Sequence, residues 1–174
     1  MLSASTMTAP RQERKGWCPG NALITLPAVL FILVSLPLAV RAAVTERVVV
    51  NRFSGLAIDG FDPVAYFTDG KPELGGEDFE AFEAGVVWRF RNEGDRAAFV
   101  AHPEIYGPQF GGYDPIDVAR GVAVAGNPYF WLVSGQRLYL FNRQESRDAF
   151  AADAANIVRR ANLHWPDIRH TLAQ

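Results

Sequence analysis

The chain has 174 residues, 49% of them hydrophobic and 21% charged, with 17 lysine and arginine residues against 19 aspartate and glutamate residues. That composition is too apolar for a disordered tail and too poor in cations for a nucleic-acid binder. A mean hydropathy of -0.01 excludes a multi-spanning membrane protein.

The first element in chain order is the uncharged run from Ala22 to Val40, preceded by Arg11, Arg14 and Lys15. A basic flank, an apolar stretch and small residues at Val40 and Ala42 make an export signal, with peptidase cleavage expected to leave a chain starting near Ala43. An uncleaved signal anchor is the alternative, because about twenty apolar residues can span a bilayer. In either case residues 43–174 are expected in the periplasm or outside the cell, and the membrane is touched only by the N-terminal segment. Cleavage leaves 13 basic and 18 acidic residues and removes Met1, Met7 and Cys18, so the exported part carries no sulfur. Disulfides, zinc-thiolate centres, thioether copper sites and cysteine nucleophiles are thereby excluded from it.

Beyond the run, the segment from Glu46 to Phe53 is expected as a leading strand. Val86–Phe90 and Arg137–Phe141 are rich in β-branched and aromatic residues and predict strands, and Tyr129–Val133 pairs with the second of these across Ser134-Gly135. A short helix is expected from Asp95 to His102, stopped by Pro103. A long helix is expected from about Arg143 to Leu163, because Phe150, Ala154, Ile157, Val158 and Ala161 form one apolar stripe. Asn142 and Glu145 suggest a capping box at its start, and Pro166 is expected beyond its end.

Shifted by about 51 positions, the chain matches itself. Gly60-Phe61-Asp62-Pro63-Val64 matches Gly112-Tyr113-Asp114-Pro115-Ile116. Glycines then follow in the same order in both stretches: Gly70 and Gly121, Gly75 and Gly126, Gly85 and Gly135. Asn92 and Asn142 then open helices carrying Ala98-Phe99 and Ala149-Phe150, with one-residue slips between the matched blocks. The fold expected is a small α+β single domain of antiparallel hairpins with a short and a long helix, built as repeat-like halves over about 60–102 and 112–161.

The segments GLAIDGFDPVAYFTDGKP, GVVWRF, FVAHPEIYGPQFGGY, VARG, RLYLF and NLHWP, in that order over roughly residues 53–166, resemble the exported branch of the YHS-domain family. The resemblance implies a small α/β module of a kind regarded as metal-binding, found alone or attached to metal transporters and oxygenases. The family cysteine is missing: after Gly111-Gly112-Tyr113 the chain continues Asp114-Pro115. Asp114 is therefore expected first as a turn cap, matching Asp62, and only second as a ligand.

The stretch His102 to Tyr113 has no counterpart in the internal match, and it combines close-packing glycines with polar-tipped side chains. His102, Tyr106, Gln109, Tyr113 and Asp114 are the candidate ligand-binding residues, with both tyrosines and Gln109 expected to face a concave surface. His102 has the competing role of satisfying carbonyls at a helix end. His164 and His170 flank Trp165-Pro166-Asp167 at a spacing with no fixed metal geometry. Ser54, Ser134 and Ser146 lack a nucleophile-elbow context, Gly111-Gly112 is too short for a phosphate loop, and Glu77-Asp78 is expected in a solvated loop. No catalytic residue, metal ligand set or cofactor is assigned. The function expected is that of an exported, non-catalytic binding or accessory module of the cell envelope, its partner an unknown small ligand or an envelope protein. The alternatives are a metal-binding protein using oxygen and nitrogen ligands, or a subunit of an envelope enzyme complex.

Overall fold

The computed structural model describes residues 47–172. The apolar run and the expected cleavage site at Ala42 lie outside them, and among the described residues no helix is long and apolar enough to cross a membrane.

Two antiparallel hairpins organise the domain. β1 (Gly76–Glu83) pairs with β2 (Val86–Phe90), and β3 (Asn127–Ser134) pairs with β4 (Arg137–Phe141). Each hairpin is preceded by a 3-10 turn, Ile58–Gly60 or Gln109–Gly112, and a single helical turn, α1 (Ala65–Thr68) or α4 (Pro115–Val118). Each is followed by a helix, α2 (Glu93–Ala101) or α5 (Gln144–Leu172). Between the halves lies one further turn of helix, α3 (Pro103–Tyr106). The fold is thus a small single α+β domain.

The halves repeat bond by bond. Asp62 accepts from the N–H groups of Val64 (2.8 Å) and Arg91 (2.9 Å), and Asp114 accepts from Ile116 (2.8 Å) and Asn142 (2.9 Å). A carboxylate before proline closes its own turn with one oxygen and holds the exit of the following hairpin with the other. Gly75 N–H donates to Gly60 and Gly126 N–H to Gly112, both at 2.9 Å. The chain is packed so closely at both glycines that a Cβ on Gly75 would strike the backbone of Arg89 and one on Gly126 the carbonyl of Gly112. The aromatic packing repeats as well, Phe90 on Phe99 and Phe141 on Phe150, each with ring centroids 5.2 Å apart.

These contacts remove two of the slips that the sequence match requires. Both residues of each hairpin turn have left-handed backbone, Ala84-Gly85 in one and Gly135-Gln136 in the other, so Gly85 and Gly135 occupy successive places in the same turn. Asn142, bonded to Asp114, stands where Arg91 stands and not where Asn92 does. Asn92 caps α2 by accepting from Asp95 N–H, whereas Asn142 lies one residue further from its helix and its side-chain amide donates to the carbonyl of Ala125. The expected capping box at Asn142 is corrected accordingly.

Alternation along β4 builds the core. Leu138 and Leu140 pack with Val64, Tyr66, Trp88, Phe90 and Phe99 of the first half. Tyr139 and Phe141 face the other way, onto Phe110, Val118, Phe150 and Ile157. A strand buried on both faces couples the halves, since the first half completes its core with side chains of the second.

Three other expectations are corrected. Instead of a leading strand, the described part of 46–53 makes one bridge, Val50 with Ala57, and lays Val49 N–H on the carbonyl of Gly111 at 2.8 Å. Glu77 and Asp78 lie on β1, where Glu77 and Glu80 hold Arg89 of the partner strand at 3.2 and 2.8 Å. α5 continues past Pro166 to Leu172, with a break in helical backbone at Asp153. Trp165 stacks edge-on over Phe110 at 5.8 Å and Ile168 is buried beyond it, so burial on the second core offsets the one helical bond the proline removes.

Candidate functional site

A cavity of about 320 Å³ opens beside the segment that joins the halves. Trp88 of β2 and Phe99 of α2 form its aromatic floor, their rings 4.8 Å apart. Glu83 and Ala84 contribute from the first hairpin turn, Pro103 and Glu104 from α3, and Gly107, Pro108, Gln109 and Gly111 from the connector. Val48 closes the remaining side. The connector passes close to the backbone of Arg47 and Val48 there: a Cβ on Gly111 would meet the carbonyl oxygen of Arg47, and Gly111 has φ +63°. Phe110 beside it also takes a left-handed conformation, φ 55°, strain of about 1–2 kcal/mol that the burial of its ring offsets.

Of the residues singled out from the sequence, Gln109 lines this cavity. Tyr106 turns away and packs edge-on against Phe67, with centroids 5.3 Å apart, on the first core. Tyr113 is buried in the second core, 6.1 Å from the Trp165 ring. Neither tyrosine faces the concavity, because the aromatic bodies find larger apolar partners in the two cores than the cavity offers. Asp114 is fully buried and holds two backbone N–H groups, so its carboxylate serves the fold. His102 ends α2 through its backbone N–H, shared by the carbonyls of Ala98 and Phe99, while its exposed imidazole stands 3.5 Å from Glu104. His164, Asp167 and His170 are exposed along α5. Among the described residues no three histidine, cysteine, aspartate or glutamate side chains come together in a metal-holding group.

The sequence reading did not single out Trp88 and Phe99 as cavity residues. Phe99 is 1% exposed, a buried framework ring that also borders the cavity. Gln109 is half-buried at the cavity wall, and Gln109→Ala is expected to change unfolding free energy by less than about 0.5 kcal/mol, measured by denaturant titration. A loss above about 1.5 kcal/mol would make Gln109 a framework residue.

A second polar cluster lies behind the first half. Burial pushes the Asp62 carboxyl up to about 6, opposed by the N–H groups of Arg91 and Val64 and reinforced by the neighbouring Asp95. Arg91 ties the cluster together, with Nη2 3.6 Å from Asp95 and Nε 3.9 Å from Asp62. An acid whose carboxyl titrates higher in the folded state stabilises the fold fully below the ordinary value of 3.8 and loses that contribution as pH rises through about 6. Between pH 4 and 6.5 this single group is expected to lower stability on the order of 2–3 kcal/mol, and Asp62→Asn should flatten that part of the pH profile. Unfolding titrations with equal slopes for the two proteins would refute the assignment.

No family model matches the chain, and no curated protein or solved structure matches it either.

Proposed function

We propose that residues 43–174 form an exported, non-catalytic binding module of the cell envelope, YHS-like in its motifs, that holds a small ligand in the cavity beside Gln109. The observation that carries this reading is the construction of the cavity. Its aromatic residues come from the repeated framework, whereas Pro103, Glu104, Gly107 and Pro108 of its wall come from the segment between the halves, which the repeat does not contain. An aromatic floor with a single amide side chain at the wall suits a compact, partly apolar ligand. The order of the motifs from GLAIDGFDPVAYFTDGKP to NLHWP supports the YHS-like reading. Asp114 at the family's cysteine position is committed to backbone bonds, which favours a small-molecule ligand over a metal.

The test is a heteronuclear NMR titration with indole as a neutral probe. Shifts confined to Ala84, Gly107, Gln109 and Gly111 support the site; shifts scattered over the surface, or none at all, refute it. Export is tested separately by fractionation with N-terminal sequencing. A soluble periplasmic species starting near Ala43 is expected, and recovery solely in the membrane with Cys18 still attached would establish an anchor instead.

A further inference from the structure

We propose that the cavity selects a protonated amine carried on an aromatic or apolar body. This rests on the cavity being a ligand site and adds the chemical class of the ligand. Several of the N–H groups of the wall are missing or already spent. Pro103 and Pro108 have no N–H, the N–H of Gly107 is spent on the carbonyl of Pro103 at 2.8 Å, and the indole N–H of Trp88 is spent on the carbonyl of Glu83 at 3.1 Å.

Charge points the same way. Glu83 and Glu104 belong to the wall, and no lysine, arginine or histidine is among the described residues that line it. Two cationic groups touch Glu104 without being part of the lining: Arg137 donates to its backbone carbonyl, and the His102 imidazole stands 3.5 Å from its carboxylate. A cationic head therefore meets a wall that carries two acidic residues and no basic one, while its apolar body lies near Trp88 and Phe99, the aromatic residues of the lining. A carboxylate ligand of the same shape would meet like charge from Glu83 and Glu104.

The volume of about 320 Å³ is at the small end for ligand cavities and fits a single or fused ring with a short side chain.

The test uses the purified full chain and three probes of one shape: tryptamine, its neutral alcohol counterpart tryptophol, and the anion indole acetate. By calorimetric titration at low salt, tryptamine should bind at least about fivefold more tightly than tryptophol, and indole acetate more weakly than either. Raising the salt to about 0.5 M should shrink the tryptamine preference. The Glu83→Gln/Glu104→Gln double variant, whose thermal unfolding should match the parent because both side chains are exposed, should bind tryptamine and tryptophol alike. Equal binding of tryptamine and tryptophol by the parent, or a preference that survives in the folded double variant, overturns the selection of amines and leaves the cavity as a neutral site. Absence of binding by all three probes overturns the cavity reading itself.

Discussion

Phe150→Ala is expected to destabilise the domain by about 3–5 kcal/mol, among the largest effects of any single side-chain truncation here. Phe150 is fully buried at the start of α5, with its ring 4.6 Å from Tyr139 and 5.2 Å from Phe141, so truncation removes the contact through which the long helix grips the second hairpin. The loss combines the transfer of an aromatic side chain with the cavity left behind, because β4 cannot collapse into it while Leu138 and Leu140 are held in the first core. Melting temperature should fall by roughly 10 °C or more, and Phe150→Leu should recover more than half of the loss. Chemical denaturation checks both variants; a change below about 1 kcal/mol for the alanine would show that α5 does not depend on this anchor.

Asp114→Ala is expected to cost about 3–5 kcal/mol with no ligand involved. Removing the carboxylate strips the acceptor from the N–H groups of Ile116 and Asn142 at once, and each amide left without a partner costs about 1–3 kcal/mol. Asn at this position keeps one acceptor oxygen and turns its NH2 toward the other donor, so Asp114→Asn should lose less than the alanine variant but remain well below the parent. Both losses should be the same with and without added metal ions. A variant that folds with parental stability yet differs from the parent in metal binding would return Asp114 to the role of a ligand.

Much of the architecture was legible in particular residues. The aromatic strands Val86–Phe90 and Arg137–Phe141 emerge with the expected bounds, because alternating large side chains and flanking turn residues define a hairpin locally. The matched Gly-aromatic-Asp-Pro segments marked both turns for the same reason. The candidate site was less legible. The connector was recognised by having no internal partner, which located the cavity wall, but the orientation of Tyr106 and Tyr113 depends on Phe67 and Trp165, residues distant in the chain. Trp88 and Phe99 gave no signal as cavity residues, since a buried ring that borders a cavity has the same local pattern as one enclosed on every side.

Local sequence therefore determined the two aromatic strands, the two Asp-Pro turns and the helix along the stripe from Phe150 to Ala161, and that residues 43–174 contain no sulfur, because those properties follow from backbone preference, side-chain period and composition. Tertiary structure decided the register of the repeat. The bonds from Asp62 to Arg91 and from Asp114 to Asn142 align the halves through space where counting along the chain misplaces Asn142 by one residue. It also carried α5 past Pro166, since burial of Trp165 and Ile168 against the second core outweighs a local helix-breaking preference. The cavity, too, exists only in three dimensions: its floor, its turn residues and its connector wall come from separate stretches of chain, and only the packing of β2, α2 and α3 brings them together.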